Sequence, residues 1–99
     1  MTETYTSGLW IVKAGEEEAF VEEWSEFVRW ASDFDGSGAF RLVRNVEQPS
    51  HYMSFAPWES FDAQNAWKQE PEFRERIMRV RSHCEDFQPS VFELVTTVE

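Results

Sequence analysis

The sequence predicts an α+β protein of the ferredoxin-like class, with elements in the order β-α-β-β-α-β and an antiparallel four-stranded sheet. Short runs rich in β-forming residues alternate with two stretches in which apolar residues recur at helical spacing. Segments with Gly, Pro and small polar residues separate these runs. A chain of 99 residues has the length of one domain, and its 41% of hydrophobic residues is typical of a globular protein.

The N-terminal elements are a strand and a helix. Residues 1–7 are polar and are predicted to form a flexible leader, so that the domain covers residues 8–98. The run GLWIVK, residues 8–13, is typical of a strand. Three glutamates at residues 16–18 suit the positive end of a helix dipole. The apolar residues that follow at helical spacing share one face: Phe20, Trp24, Phe27, Val28 and Ala31.

The segment SDFDGSG, residues 32–38, is predicted to be a turn that ends this helix. Its acidic residues match the opening of an EF-hand loop, but the twelfth position is Arg44, where such a loop needs a bidentate Glu. A weak cation site is therefore the alternative to a plain turn. The two histidines and one cysteine show no metal-ligand spacing, so we predict no metal site.

Two strands are predicted next, over residues 39–46 and 51–56, and the turn EQPS joins them as a hairpin. Pro57 is predicted to end the second strand, because proline cannot donate a hydrogen bond to a sheet ladder. Ser60 is a suitable N-cap for a short helix over residues 61–68.

A longer helix and a final strand complete the pattern. Pro71 suits the first turn of the helix, and Glu–Arg pairs follow along it at i, i+4 spacing. Pro89 is predicted to end this helix, and residues 90–98 are predicted to form the last strand. The predicted apolar stripe of the helix is Phe73, Ile77, Val80, Cys84 and Phe87.

The strand composition predicts a partner for the sheet. Both faces are apolar in LWIV, residues 9–12, whereas a strand buried on one face alternates. The run VFELV, residues 91–95, is nearly as apolar. Two helices can cover only one face of a four-stranded sheet, so we expect a homodimer that packs sheet to sheet. Two-fold pairs are the commonest oligomers.

Charge and composition disfavour several classes of partner. The net charge of −10 repels a nucleic-acid backbone and an anionic membrane surface, so we predict neither partner. No apolar run approaches the roughly 20 residues of a membrane helix, and no secretory signal is visible. Cys84 is the only cysteine and cannot form an internal disulfide, which favours a cytoplasmic location.

Three stretches carry a resemblance to a known family: WIVKAG, PSHYMSFAPWESF and AWKQEPEFRER. Together they make the chain, over about residues 8–98, similar to the antibiotic biosynthesis monooxygenase family. The most specific part is WES followed by AW and PEF. The resemblance implies a dimeric α+β barrel in which the sheets of two subunits meet. It also implies an apolar pocket between the sheet and the helices of each subunit.

Two branches of that family are compared residue by residue. The haem-binding histidine of haem-degrading members falls at Ile77, and their essential Asn falls near Gly8, so only their Trp is retained, as Trp67. Because isoleucine cannot ligate iron, we predict no haem. The resemblance to members that work without metal or flavin implies no other cofactor. Polyketide-oxidising members share Trp58. The Asn and Tyr that some of them use correspond here to Ser54 and Gln64.

The resemblance implies a cofactor-independent monooxygenase that acts on dioxygen and a small aromatic, quinol or polyketide-like substrate. In such chemistry a deprotonated phenol or quinol reduces dioxygen, while the protein excludes water, orients the ring and accepts a proton. We predict His51 as the base, because histidine titrates near neutral pH, and Ser54 as a hydrogen-bond donor. The predicted substrate-binding residues are Trp58, Trp67 and Gln64.

Each of these residues has a simpler interpretation. The two tryptophans are also suitable as large core residues, and His51 at a strand end is also suitable as a solvated side chain. Cys84 is predicted to be an inert core thiol. The alternative function is a non-catalytic dimer of the same fold that binds a small molecule. A polar set of Ser54, His51 and Gln64 facing one apolar pocket would favour the enzyme.

Overall fold

The computed structural model describes residues 3–99, and it confirms the ferredoxin-like α+β fold. Four strands form one antiparallel sheet in the order β2-β3-β1-β4, and the second predicted helical segment is split into two helices. The elements are β1 (Thr4–Val12), α1 (Glu17–Ala31), β2 (Arg41–Arg44), β3 (His51–Trp58), α2 (Phe61–Lys68), α3 (Pro71–Arg81) and β4 (Cys84–Glu93).

The first strand begins earlier than the sequence predicted. Thr4 is 1% exposed and pairs with Trp58 of β3 and Glu93 of β4, so it lies between two neighbouring strands. Residues 4–7 of the predicted flexible leader are therefore strand residues, because β1 is the inner strand to which both neighbours pair along its length. Met1 and Thr2 lie outside the described residues.

Two prolines lie inside strands, where the sequence predicted that they end elements. The carbonyl of Pro57 accepts a hydrogen bond from the Gly38 amide at 2.8 Å. The nitrogen of Pro57 therefore points to the same side of β3, toward residues that precede β2. Pro89 pairs with Gly8, and its nitrogen faces the free edge of β4, because the Leu94 amide five residues later bonds inward to Glu3. Neither position requires an N–H, which is where sheets tolerate proline.

The long final helix of the prediction is wrong beyond Arg81. The chain turns there, and residues 84–87 pair with β1 as part of β4. Apolar residues three and four apart fit a helical stripe, but Phe87 instead stacks on Trp10 with ring centroids 3.9 Å apart. Pairing to a central strand therefore overrides the local helical pattern.

The three helices cover one face of the sheet and leave the other open. On β1, Trp10 and Val12 are 3% and 1% exposed, whereas Leu9 is 50% exposed, because successive strand side chains point to opposite faces. No helix within residues 3–99 is long and apolar enough to span a bilayer. The core between helices and sheet consists of Trp10, Val12, Phe20, Trp24, Phe27, Ala31, Tyr52, Ala56, Trp58, Trp67 and Val80.

Candidate functional site

A cavity of about 70 Å³ lies between the helices and the covered face of the sheet. Strands β1, β3 and β4 and all three helices contribute to its wall, and most of the wall is apolar. Its aromatic lining residues are Trp10, Trp24, Phe27, Phe40, Phe55, Trp67, Phe73 and Phe87. Its polar lining residues are Thr6, Ser7, Ser54, Lys68 and Ser90.

Helix α2 brings Trp67 to the cavity wall. The helix begins where the Ser60 hydroxyl accepts the Ala63 amide at 3.1 Å, an N-cap that satisfies one free amide of the first turn. Trp67 stacks on Trp58 with centroids 4.9 Å apart and meets Phe73 edge-on at the same distance. The indole nitrogen of Trp67 is buried and has no hydrogen-bond partner within residues 3–99.

Trp58 lies behind Trp67 and does not line the cavity. It is 1% exposed, and its indole N–H donates to the hydroxyl of Thr6, a cavity residue, at 3.0 Å. Trp58 therefore supports the wall that Trp67 presents. Trp58 is therefore a core side chain, and Trp67 is a buried side chain that also lines the cavity.

Ser54 lines the cavity from β3. Its Oγ accepts the indole N–H of Trp10 at 2.9 Å, so the hydroxyl proton of Ser54 remains available as a donor. Gly8, which pairs with Ser54 across the sheet, leaves room for this arrangement. A Cβ at Gly8 would lie 2.8 Å from the Phe87 ring and 2.9 Å from the Trp10 nitrogen.

A chain of hydrogen bonds joins Lys68 to the buried end of β1. The Lys68 ammonium donates to the Gln64 side-chain oxygen at 3.4 Å, and the Gln64 amide donates to the Thr4 hydroxyl at 2.9 Å. Gln64 is 1% exposed, so the predicted substrate-binding residue is a buried connector beside the cavity and not part of its lining. Burial lowers the pKa of Lys68 below its usual value of 10.5.

The structure does not place His51 at the cavity. His51 pairs with Ile11, on the face of β3 opposite to Ser54 and Tyr52, and it is absent from the cavity lining. A base has to reach the proton that it removes, so the predicted role of His51 needs a side chain on the other face. His83 is also absent from the lining, and its Nδ1 lies 3.0 Å from a Glu16 carboxylate oxygen.

Of the predicted set, the structure therefore brings Ser54 and Trp67 to one cavity, with Trp58 and Gln64 immediately behind. Lys68 and Trp10 also line the cavity, and neither was predicted from the sequence. Lys68 follows Trp67 directly and lies four residues after Gln64, which puts it on the same side of a helix as Gln64. That spacing was the only feature of the sequence that placed Lys68 near the predicted site residues.

The lining offers little to a haem or a metal ion. Ile77 and Gly8 both line the cavity at the positions compared with haem-degrading members. Within residues 3–99 the lining contains no His, Cys, Met or Tyr to act as an axial ligand. Across residues 3–99 there is no group of three or more His, Cys, Asp or Glu arranged to hold a metal ion.

Comparisons with known proteins give a consistent result. The family model for antibiotic biosynthesis monooxygenases matches residues 9–77. A structure of SnoaB, a cofactor-independent oxygenase from Streptomyces nogalater, is 17% identical, with a TM-score of 0.87 over 99% of this chain and 98% of that chain.

Two further structures show the same fold. A provisionally assigned antibiotic biosynthesis monooxygenase from Bordetella bronchiseptica is 19% identical, with a TM-score of 0.82 over 99% of this chain and 100% of that chain. A conserved protein from Methanosarcina mazei Go1 is 11% identical, with a TM-score of 0.83 over 93% of this chain and 92% of that chain. No curated protein matches the sequence.

Proposed function

The chain belongs to the antibiotic biosynthesis monooxygenase family, and we propose that it is a cofactor-independent oxygenase of a small phenol or quinol. The family supplies the reaction class, and the SnoaB structure is a cofactor-independent oxygenase with the same fold. The observation that carries the proposal is the aromatic cavity, in which hydrogen-bond donors occur within an otherwise apolar wall.

One donor at the cavity suits a substrate oxygen. The Ser54 hydroxyl is oriented by the bond that its oxygen accepts from Trp10, which leaves its proton to donate elsewhere. The indole N–H of Trp67 is buried without a partner in the described chain, a condition that costs roughly 1–3 kcal/mol. The Trp67 nitrogen is too enclosed for a ligand oxygen to reach, so such an oxygen would accept from Ser54, while Trp67 and Phe73 contact the ring.

The size of the cavity favours a one-ring substrate. Its volume of about 70 Å³ is small, since pockets for drug-sized ligands are roughly 300–1,000 Å³. A three-ring polyketide would require movement of several lining side chains, and these are packed against one another, as in the contact of Trp67 with Phe73. We therefore propose a hydroquinone-like substrate before a polycyclic one.

The proposed reaction needs no electrons from a cofactor. The quinol loses a proton, its ring carbon forms a bond to dioxygen, and the O–O bond then breaks with loss of water. A hydroquinone and one dioxygen give one hydroxyquinone and one water, so the substrate supplies all four electrons. The apolar wall limits access of water to the intermediate, and the ring is held in place for the reaction.

The test is oxygen uptake by the purified protein with hydroquinones and anthrones, without added metal or flavin. With ¹⁸O₂, one labelled atom is expected in the organic product and one in water. Hydrogen peroxide with an unlabelled quinone would show an oxidase instead. Binding without turnover over the whole panel would favour the alternative function, a non-catalytic binding protein.

Variants connect the activity to the cavity. Ser54→Ala is expected to lower kcat by roughly 10²-fold, the lower range for loss of one donor to a developing oxyanion. The matched control is Ser82→Ala, because Ser82 is exposed after α3 and its hydroxyl donates only to the Arg79 carbonyl. Equal rates for wild type and Ser54→Ala would contradict the role proposed for Ser54.

A further inference from the structure

Among the residues 3–99 that line the cavity, Lys68 is the only charged one. The segments of β1, β3, β4, α1 and α3 that face this space present aromatic, aliphatic, glycine, proline and hydroxyl residues there. The chain as a whole carries 19 acidic residues, 9 Lys and Arg, and a net charge of −10. A lone cation at an apolar cavity in so acidic a protein gives that cavity a local charge opposite to that of the molecule.

The ammonium of Lys68 is incompletely satisfied by the described chain. It has three N–H donors, and its one hydrogen bond goes to the Gln64 oxygen at 3.4 Å, near the limit for such bonds. It takes part in none of the ion pairs formed within residues 3–99. Burial disfavours the charged form and lowers the pKa of the lysine, and a nearby anion would offset that penalty.

A simpler role for Lys68 is available at the end of α2. A cation in the last turn of a helix interacts favourably with the helix dipole. That interaction is met by an ammonium in solvent, and it does not require the side chain to line a cavity or to contact a buried amide. The position of Lys68 beside Gln64, which Thr4 holds in place, is the feature that the dipole leaves unexplained.

We propose that Lys68 binds the anionic oxygen of a ligand, so that the cavity selects small aromatic anions, phenolates above all, over the corresponding neutral molecules. This inference rests on the proposed function and refines it, because a phenolate is the species that reduces dioxygen. Lys68 would stabilise the phenolate from one side while the Ser54 hydroxyl donates to the same oxygen or to a second one on the ring. Lys68 is then a specificity-determining residue.

The direct test is a titration with 4-nitrophenol under anaerobic conditions, which requires no turnover. The phenolate of this probe absorbs at longer wavelength than the phenol, so the spectrum shows which form is bound. The pKa of the bound probe is expected to lie at least about one unit below that of the free probe, since each unit is a tenfold preference for the anion. A bound pKa equal to or above the free value would overturn the inference.

Variants separate charge from shape. Lys68→Met is expected to weaken phenolate binding by about 10-fold to 100-fold, the range for loss of a hydrogen bond to a charged group. The same variant should leave the affinity for 4-nitrotoluene, a neutral analogue of similar shape, unchanged. Lys68→Arg should retain most of the phenolate affinity. The matched control is Lys13→Met, because Lys13 is the only other lysine, is exposed and lies outside the cavity.

The outcomes distinguish this inference from the oxygenase proposal. Equal phenolate affinity for wild type and Lys68→Met, or no spectral response of wild type to the probe, would overturn the anion site. If Lys68→Met fails to fold, the wild-type titration and Lys68→Arg still decide. A phenolate-selective site without oxygen uptake would contradict only the oxygenase. Oxygen uptake that is unchanged in Lys68→Met would contradict only the role of Lys68.

Discussion

Gly8 shows how one residue sets the shape of the cavity wall. It lies on the inner strand β1, beside the stacked rings of Phe87 on β4 and Trp10, and a Cβ at this position would lie within 3.0 Å of both. The absence of a side chain allows Phe87 and Trp10 to stack and allows Trp10 to donate to Ser54. Close approach of side chains is therefore the reason for glycine at this position.

Gly8→Ala is expected to destabilise the protein by roughly 1–3 kcal/mol, the usual effect of an extra methyl group in a packed site. Urea unfolding would measure the free energy. The effect should be non-additive with Phe87→Leu, because a smaller residue removes one of the two clashing groups. Independent, additive effects of the two substitutions would show that the crowding at Gly8 is not what the structure indicates.

The position of His51 leads to an expectation about activity. Because His51 lies on the sheet face opposite to Ser54, His51→Ala should leave kcat close to the wild-type value on any substrate that the cavity accepts. Loss of a general base would instead lower kcat by roughly 10²-fold or more. A decrease of that size, measured on a folded variant with unchanged oligomeric state, would restore His51 as the base.

Cys84 is expected to be an unreactive thiol. Burial, with a smaller effect of the Glu16 charge, raises its pKa from 9.0 to about 11. Two units reduce the thiolate fraction near pH 8 by about 100-fold, and only the thiolate reacts with disulfide reagents. Its reaction should therefore be far slower in the native chain than in urea, and the native rate should rise with pH up to about 11. A native rate that levels off near pH 9 would contradict this.

The residues that line the cavity were only partly predictable from the sequence. Ser54 and Trp67 were identified through motifs, and their positions at the cavity follow from strand and helix periodicity. The face on which His51 lies depends on the register of β3, which a strand end does not reveal. The residue type of Lys68 did not mark it as a cavity residue, because a lysine in the last turn of a helix is ordinary. Its position at a cavity depends on tertiary packing.

At the scale of elements, α2 is the short helix on which the cavity depends. It has eight residues, carries Gln64, Trp67 and Lys68, and is too short to be stable alone. The Ser60 cap fixes its start. Gly36, in the turn after α1, has a positive φ of 88° and packs against α2. A Cβ at Gly36 would lie only 2.8 Å from the Cβ of Ala63, so a side chain does not fit there.

Ser60→Ala is expected to destabilise the protein by about 1 kcal/mol, the typical effect of losing an N-cap. Ser60→Asp should restore most of the loss, because a carboxylate can also accept the Ala63 amide and suits the helix dipole. The matched control is Ser25→Ala, because the Ser25 hydroxyl donates within α1 and caps nothing. Equal unfolding free energies for Ser60→Ala and Ser25→Ala would contradict the importance of the cap.

The order of elements was predictable, whereas several of their ends were not. Helix α2 was predicted at its observed bounds, because a capping serine marks its start. The prolines misled the prediction at Pro57 and Pro89, since a missing N–H matters only where a neighbouring strand needs one. The register of the sheet decides that, and it follows from pairings of β1 with residues about 40 or more positions away.

At the scale of the whole molecule, the chain is a thin two-layer slab with one uncovered sheet face. Its dimensions are 42 × 36 × 18 Å, and the short one matches a single sheet with one layer of helices. Leu9, Met53 and Val43 form a row across β1, β3 and β2 on the open face, and they are 50%, 39% and 45% exposed. Phe92 of β4 is 54% exposed, on the same face of the sheet.

We propose that a second copy covers this face, as the apolar strands and the resemblance to the family led us to expect. Monomers seldom expose a contiguous apolar patch above a few hundred Å². Two chains of net charge −10 repel each other, so association has to depend on apolar contact and should become tighter as salt screens the charges. The opposite salt dependence would point to an interface held by ion pairs.

Leu9→Glu is accordingly expected to convert a dimer into a monomer, because it places a carboxylate in the apolar row that the second copy would cover. Sedimentation at micromolar concentration would measure the change. The matched control is Val46→Glu, because Val46 is 89% exposed and lies in the turn after β2, outside the sheet. A wild-type chain that sediments as a monomer would contradict the dimer, and so would a Leu9→Glu variant that remains dimeric. Most residues that line the cavity lie on the helices or on the covered face of the sheet, so the monomeric variant should still bind 4-nitrophenol if it remains folded.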